Sequence, residues 1–278
     1  MRIVDTHLHL IYQDRFSYPW LGGVPALDQE WPLEAYFAEA TPLGIEAALH
    51  MEVDVAEPQM ADETAFVLAL DPRIVGAIAN GRPEDATFPA YLERLGAMGG
   101  VRGVRRLLQF QPAELSQSPL FLENIRRLPG HDLSFDICVK SHELEIAQHL
   151  IAACPDVSFI LDHCGNPRIA EGEWEPWAMQ VREIAAHPNV TCKVSGILAN
   201  VDERWTVDQL RPYVEHVIDA FGWDRVVWGS DHPVVTLFAD LTAWVKATGQ
   251  IVAGTSQDER EKLFFRNAER VYRLGGRP

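Results

Sequence analysis

The sequence has no apolar stretch approaching the ~18 consecutive residues that a membrane-spanning helix needs. Its first residues show no basic segment, long apolar run or small-residue cleavage site, which are the marks of a secretory signal. Cysteine is scarce: there are four in 278 residues, and no two of them form a Cys-x-x-Cys pair. A disulfide framework is not expected in so large a core. We therefore expect a reduced, cytoplasmic protein.

Positive charge is also in short supply, with 24 Lys and Arg against 40 Asp and Glu and a net charge of −16. Because nucleic acids and anionic membranes would repel such a chain, neither is expected as a partner. Hydrophobic residues, by contrast, make up 47% of the sequence, enough for a substantial core. No repeat, low-complexity tract or linker divides the chain, so residues 1–278 are expected to form one domain. The oligomeric state, including a homo-oligomer, is left open.

Strand-like and helix-like segments alternate along the chain. Several of the strand-like segments are continuous aliphatic or β-branched runs, as in parallel strands covered on both faces. Eight strands are predicted, near residues 3–9, 47–53, 74–79, 101–108, 133–140, 157–162, 190–194 and 225–229.

Helical spacing of apolar residues fills the intervals. Helices are predicted near residues 33–43, 62–70, 88–95, 119–128, 143–153, 174–186, 206–221, 237–248 and 258–274. The last follows Ser256, with Glu259 three residues on, which is a capping-box signature. Eight strands, each followed by a helix, indicate an α/β fold, the (β/α)₈ TIM barrel.

Asp5, His7 and His9 alternate along the first predicted strand, so their side chains share one face. Two imidazoles in this arrangement can reach one cation from the same side. The alternative is a pair of structural histidines satisfied by hydrogen bonds. A Gly-Ser-Asp-His-Pro segment follows the eighth predicted strand, which neighbours the first in a closed barrel, and Asp231 is thus expected near both histidines.

Polar residues cluster at the carboxyl ends of the predicted strands, where the active sites of this fold lie. They are His7, His9, Glu52, Arg105, Arg106, Gln109, Lys140, His142, His163, Lys193, Asp231 and His232. Arg105 and Arg106 point to opposite faces of their strand, and parity with Gln109 favours Arg105 as the inward one. Lys193 either meets substrate or is structural. His232 either takes part in catalysis or only shapes the turn before Pro233.

The chain resembles the amidohydrolase superfamily, specifically the amidohydrolase-2 branch that contains sugar-lactone hydrolases and 2-pyrone-4,6-dicarboxylate lactonase. The resemblance covers nearly the whole length. The motifs that carry it are VDTHLH (4–9), YPW (18–20), VRGVRRLLQ (101–109), LDHCG (161–165), CKVSG (192–196), GSDHP (229–233) and NAERVY (267–272). The Arg-Gly-x-Arg run and the Pro-Trp pair point to the L-fuconolactonase- and L-rhamnonolactonase-like group.

The resemblance implies that Asp231 takes a proton from the attacking water and that His163 lies near the substrate carbonyl. It also implies that His7, His9 and Asp231 are the metal ligands where a cation is bound. The chain departs from binuclear members of the superfamily, because Arg105 and Arg106 replace a bridging lysine on the fourth strand. A single Zn²⁺ or Mn²⁺ and metal-free catalysis both stay open, since this branch includes lactonases that work without metal.

The expected reaction is therefore the opening of a sugar-acid lactone, an aldonolactone of the L-fucono or L-rhamnono type, by water. Such a small-molecule lactone is the expected partner. Side chains expected to bind it are Trp20, Glu52, Arg105, Gln109, Lys140 and His142. A metal-dependent decarboxylase or amide hydrolase of the same superfamily is the alternative. A non-catalytic barrel that binds a sugar acid is the second alternative, and it would need no general base.

Overall fold

The computed structural model describes residues 1–274. Eight parallel strands follow one another around a barrel in chain order. They are β1 (Ile3–Leu8), β2 (Ile45–Met51), β3 (Ile74–Asn80), β4 (Val101–Leu107), β5 (Ser134–Cys138), β6 (Phe159–Leu161), β7 (Val190–Val194) and β8 (Val226–Trp228). Every residue of β1, β5, β6, β7 and β8 is buried, as expected for strands covered on both faces.

Helices alternate with the strands and surround them. They are α1 (Leu33–Ala40), α2 (Met60–Leu68), α3 (Phe88–Ala97), α4 (Pro119–Ile125), α5 (Leu144–Ala153), α6 (Trp177–Ala185), α7 (Val207–Phe221), α8 (Leu241–Ile251), α9 (Gln257–Glu261) and α10 (Asn267–Val271). The predicted (β/α)₈ barrel is confirmed. Within residues 1–274, none of the helices is both long and apolar enough to span a bilayer.

Most predicted helices agree with the observed ones to within about three residues at each end, and two differ more. The helix predicted at 237–248 begins at Leu241, because the Asp240 side chain caps it by accepting the Ala243 N–H at 2.6 Å. The helix predicted at 258–274 starts with the expected capping box, in which Ser256 Oγ accepts the Glu259 N–H at 3.2 Å. It is then interrupted by a π-helical turn over Lys262–Arg266 and resumes as α10.

The barrel closes between β1 and the segment that follows β8. The His9 N–H donates to the His232 carbonyl at 2.8 Å, and the Asp231 N–H donates to the His7 carbonyl at 2.9 Å. The Thr6 hydroxyl adds a bond to the Trp228 carbonyl at 2.8 Å. This closure places Asp231 beside His7, on β1, and His9, directly after it, as the sequence predicts.

The opposite end of the barrel is plugged by apolar side chains. Val4, Leu49 and Ile78 point inward, and Ala268 and Tyr272 pack against them from the C-terminal segment. The interior is therefore filled at the amino ends of the strands. An open cavity is found at the carboxyl ends instead.

Candidate active site

A cavity of about 430 Å³ opens at the carboxyl ends of the strands. Four polar residues, each on a different strand or within three residues of its carboxyl end, line its bottom: His9, Arg105, His163 and Asp231. We call these four residues the floor. All four are at least nine-tenths buried, so the protein fixes their positions before any ligand enters.

His7, His9 and Asp231 form a tight cluster. His7 Nε2 lies 3.2 Å from His9 Nε2 and 3.6 Å from Asp231 Oδ1, and His9 Nε2 lies 3.5 Å from the same carboxylate oxygen. His9 Nδ1 is 3.0 Å from the carbonyl oxygens of both Met51 and Glu52. Because carbonyls only accept, His9 carries its proton on Nδ1 and directs the Nε2 lone pair into the cluster.

Asp231 is held by the backbone that follows β8. Its φ of 59° lies in the left-handed region, which aspartate tolerates better than most residues. Asp5 links β1 to the segment that follows β8, because its carboxylate accepts the N–H of His7 at 3.0 Å and the N–H of Ser230 at 2.8 Å. The Tyr36 hydroxyl donates to the same carboxylate at 2.5 Å. Asp5, whose role the sequence did not reveal, thus positions Asp231 and His7.

Burial is the main cause of the pKa shifts of the floor residues Asp231, His9 and His163. It raises the pKa of Asp231 to about 6, against the opposing effects of His163 and Arg105. Burial and the Arg105 guanidinium lower the pKa of His9 to about 3, and burial also lowers that of His163. At neutral pH the floor therefore presents an ionised carboxylate beside neutral imidazoles.

Arg105 faces the cavity and Arg106 does not, as strand parity predicts. Arg105 Nε donates to Glu52 Oε1 at 2.6 Å, and its Nη1 lies 3.4 Å from His7 Nε2. Arg106 instead bonds Glu84 at 2.9 Å on the outer side of the barrel. Glu52 is 1% exposed and does not line the cavity, because its carboxylate binds Arg105 and the Asp54 N–H. It supports Arg105 from below.

A buried ion network lies beneath the floor. Lys193 Nζ lies 2.8 Å from Asp136 Oδ2, 2.9 Å from Asp162 Oδ1 and 3.3 Å from His7 Nδ1. Burial alone would lower the pKa of Lys193, but the two carboxylates raise it above its ordinary value. Burial likewise works to raise the pKa of Asp162, yet Lys193 and His7 hold it well below its usual range. Since Lys193 is completely buried, its position identifies it as structural.

Residues directly after β7 fix the position of the His163 ring. Its Nδ1 lies 2.9 Å from Ser195 Oγ, and its ring centre is 4.4 Å from that of His7. Gly196 adopts a φ of +61°, and a methyl group at this position would overlap the His163 imidazole. The Lys-Val-Ser-Gly run (193–196) therefore has two roles. Lys193 supplies the buried ammonium, and Gly196 leaves room for the His163 ring.

The remaining predicted binding residues divide into two groups. Trp20 and Gln109 line the cavity, and the Trp20 indole N–H also anchors its loop by donating to the Val53 carbonyl at 2.8 Å. Lys140 and His142 are exposed and are not among the lining residues. The chain turns there because the Glu143 carboxylate accepts the Lys140 N–H at 2.9 Å.

His232 also lies away from the cavity. Its ring packs against those of Trp31 and Tyr36, with centres 5.3 Å and 5.2 Å away. Burial, reinforced by nearby His9, lowers its pKa to about 4. Its backbone carbonyl pairs with the His9 N–H, so its observed contribution is to barrel closure.

Three polar lining residues were missed by sequence reasoning: Asp54, Asn166 and Asn200. Each follows the carboxyl end of a strand, and that placement was the signal that could have found them. The Asn166 amide donates to the Val139 carbonyl at 2.8 Å, and Asn200 donates to Asn166 Oδ1 at 3.4 Å. These contacts fix two neutral amides at the side of the cavity.

The His7, His9 and Asp231 cluster fits a metal ion. Ligand atoms bound to a tetrahedral Zn²⁺ lie about 3.3–3.6 Å apart, close to the separations of 3.2, 3.5 and 3.6 Å found here. His7, Asp162 and His163 form a second group of possible ligands. The Lys193 ammonium already neutralises Asp162 there, so the residues fit one cation better than two.

Comparisons with known proteins identify the family of this chain. The sequence pattern of the amidohydrolase family matches residues 4–274. The chain is 33% identical to an L-fucono-1,5-lactonase from Burkholderia ambifaria over 77% of this chain and 73% of that protein. It is 29% identical to a 4-sulfomuconolactone hydrolase from Rhizobium radiobacter over 82% and 75% of the two chains.

Among solved structures, an amidohydrolase from Burkholderia multivorans with bound zinc superposes with a TM-score of 0.88. It is 26% identical and is matched over 99% of this chain and 100% of its own. The family pattern matches nearly the whole chain, and the relatives and the shared barrel agree with it. The chain therefore belongs to the amidohydrolase family.

Proposed function

We propose that the protein is a lactone hydrolase that opens the ring of a sugar-acid lactone by attack of water on the lactone carbonyl. The observation that carries the proposal is Asp231, an ionisable carboxylate that faces the cavity from a floor of neutral imidazoles and one arginine. The lactonase names of the relatives support the same reaction class. A non-catalytic barrel would have no need for such a carboxylate.

In the proposed mechanism, Asp231 removes a proton from water while the water oxygen forms a bond to the lactone carbonyl carbon. Arg105 and His163 flank the position of the carbonyl oxygen and stabilise the negative charge that develops on it. The bond between that carbon and the ring oxygen then breaks. Asp231 returns its proton to the departing ring oxygen, leaving a hydroxy acid and the starting form of the enzyme.

His7, His9 and Asp231 would hold a divalent cation, Zn²⁺ or Mn²⁺. When bound, such a cation polarises a carbonyl and lowers the pKa of water. His9 suits this role because its Nδ1 proton is bonded to backbone carbonyls, which leaves Nε2 free. Arg105 is held by Glu52, which is not among these three ligands, and would supply a donor to the lactone carbonyl beside the cation.

A hydrolysis assay with a pH indicator on a panel of aldonolactones, with and without a chelator, tests the proposal. Turnover of at least one lactone is expected. Turnover that survives chelation assigns the reaction to the protein groups alone, and turnover restored by Zn²⁺ or Mn²⁺ assigns a role to a cation on His7 and His9. If the panel gives no turnover with or without added metal, the lactonase proposal is wrong. A decarboxylase or amide hydrolase would then be the better account.

A further inference from the structure

The turn that directly follows β2 holds two residues of the floor. We call residues 52–54 the β2 turn. The Glu52 backbone carbonyl lies 3.0 Å from His9 Nδ1 and 2.9 Å from Arg105 Nη2, and it accepts a bond from each. The Glu52 carboxylate is divided between two further donors, Arg105 Nε at 2.6 Å on Oε1 and the Asp54 N–H at 2.8 Å on Oε2. The positions of His9 and Arg105 therefore depend on that of the β2 turn.

Asp54 has a backbone conformation that residues other than glycine adopt infrequently. Its φ of 48° lies in the left-handed region. The Asp54 Oδ1 accepts a bond from Asn80 Nδ2 at 3.3 Å and another from Arg82 Nη2 at 3.2 Å. Arg82 also donates to the Asn80 side-chain carbonyl, so the two donors support each other. These contacts hold Asp54 in the orientation in which its N–H reaches Glu52.

Arg82 lies outside the cavity, since the described residues that line the cavity do not include it. Its side chain is only 14% exposed, so solvent ions screen its attraction to Asp54 less than they would at an open surface. Arg82 Nη1 donates to the Gly81 carbonyl at 3.1 Å, and the Gly81 N–H donates to the Arg105 carbonyl at 3.0 Å. One path of contacts thus leads from Arg82 through the β2 turn to the Arg105 side chain, and a second reaches the Arg105 backbone through Gly81.

We infer that Arg82 is a positioning residue for the reaction and acts on Arg105 through the β2 turn. This inference rests on the proposed lactonase function, in which Arg105 stabilises the negative charge on the carbonyl oxygen. Without Arg82, the Asp54 carboxylate loses a charged donor, and the Asp54 N–H is no longer held against Glu52. The buried Glu52 carboxylate then shifts and takes Arg105 with it. Because a donor to the transition state must be placed within a fraction of an ångström, a small shift lowers kcat.

The variant Arg82→Met tests this inference, and Arg94→Met is its matched control. Both arginines line the same surface groove, but Arg94 pairs with the exposed Asp62 at 2.6 Å. Arg82→Met should lower kcat by about tenfold and change KM by less than about twofold, because Arg105 acts on charge that develops in the transition state. Arg94→Met should leave both values near those of the wild type. The value of kcat is expressed per folded molecule, measured by near-UV circular dichroism, so that a loss of stability alone does not lower it.

A conservative variant and a second background test the route. Arg82→Lys keeps the charge and should recover most of the lost kcat; it is also the variant to use if Arg82→Met folds poorly. Asp54→Gly removes the carboxylate that binds Arg82 but keeps the N–H and adopts a positive φ without strain. In that background, Arg82→Met should lower kcat by less than about twofold, since the route from Arg82 is already interrupted.

Two results would overturn the inference while leaving the lactonase function intact. In the first, the wild type hydrolyses a lactone and Arg82→Met keeps its kcat. In the second, Arg82→Met lowers kcat equally with Asp54 and with glycine at that position. Absence of lactone turnover by the wild type would overturn the proposed function itself and the inference with it.

Discussion

The floor of the cavity and its walls are built in different ways. The floor consists of buried polar residues on strand ends, each held by a defined partner, and it lies on the ion network of Lys193, Asp136 and Asp162. The walls consist of apolar and amide side chains on the segments between strands and helices. This division indicates that the floor performs the chemistry and that the walls select the substrate. Changes to the floor should therefore affect kcat or folding, and changes to the walls should affect the choice of substrate.

The largest effect is expected from Asp231→Asn. The amide cannot take a proton from water, so kcat should fall by about 10²–10⁴-fold while KM changes little. Asp208→Asn, an exposed carboxylate on α7, is the control and should keep full activity. Steady-state kinetics on the preferred lactone measure both. A folded Asp231→Asn protein with full turnover would rule out the assigned base.

The next largest effect is on stability, from Lys193→Met. The variant leaves Asp136 and Asp162 buried without their cation, and the free energy of unfolding should fall by about 3–5 kcal/mol. Lys262→Met removes a lysine that forms partly exposed ion pairs with Asp224 and Asp258, and it should change stability by less than ~1 kcal/mol. Urea denaturation compares the two. Equal losses would contradict the structural role of the network.

The pH dependence of kcat/KM in the metal-free protein should report the protonation of Asp231 in the floor. Burial raises the pKa of Asp231 to about 6, so the base is protonated and inactive below that pH. The value of kcat/KM should therefore rise about tenfold per pH unit below pH ~6 and level off above it. Spontaneous lactone hydrolysis is subtracted at each pH. A profile that falls as the pH rises through this range would require a protonated acid in place of the base.

The smallest effects are expected at the rim. Lys140→Ala and His142→Ala change exposed side chains outside the lining, and each should alter kcat/KM by less than about twofold. Gln109→Ala removes an amide from the cavity surface and should cost about two- to tenfold if it binds a substrate hydroxyl. The comparison uses one hydroxylated lactone. A loss in Lys140→Ala equal to that in Gln109→Ala would place the lysine in substrate binding after all.

Much of the floor could be predicted from the sequence because side chains alternate along a strand. Asp5 is the exception: β1 is irregular between Asp5 and Leu8, and Asp5 bonds Tyr36 on α1 and does not join His7 and His9 on their face. The i, i+2 spacing placed His7 and His9 on one face, and parity placed Arg105 inward. Closure of the barrel then brought Asp231 to them. These inferences needed only the period of a strand and the order of strands around a barrel.

The ion network and the walls could not be predicted in the same way. The pairing of Lys193 with Asp136 and Asp162 joins the neighbouring strands β7, β5 and β6, and it depends on strand tilt and stagger that no local pattern encodes. Glu52 was expected to bind substrate because it ends a strand, but its partner Arg105 is 53 positions away. Lys140 and His142 turn outward because of a local capping contact. The cytoplasmic location stays a prediction.

The role of Asp231 as a general base is tested most directly by a single turnover in water enriched in heavy oxygen. If Asp231 activates water, the label enters the carboxylate of the product during that first turnover, and the Asp231 side chain stays unlabelled. Mass spectrometry of the product and of the peptide that contains Asp231 measures both. Label in the Asp231 carboxylate, with unlabelled product, would show that the side chain attacked the lactone itself and would contradict the proposed mechanism.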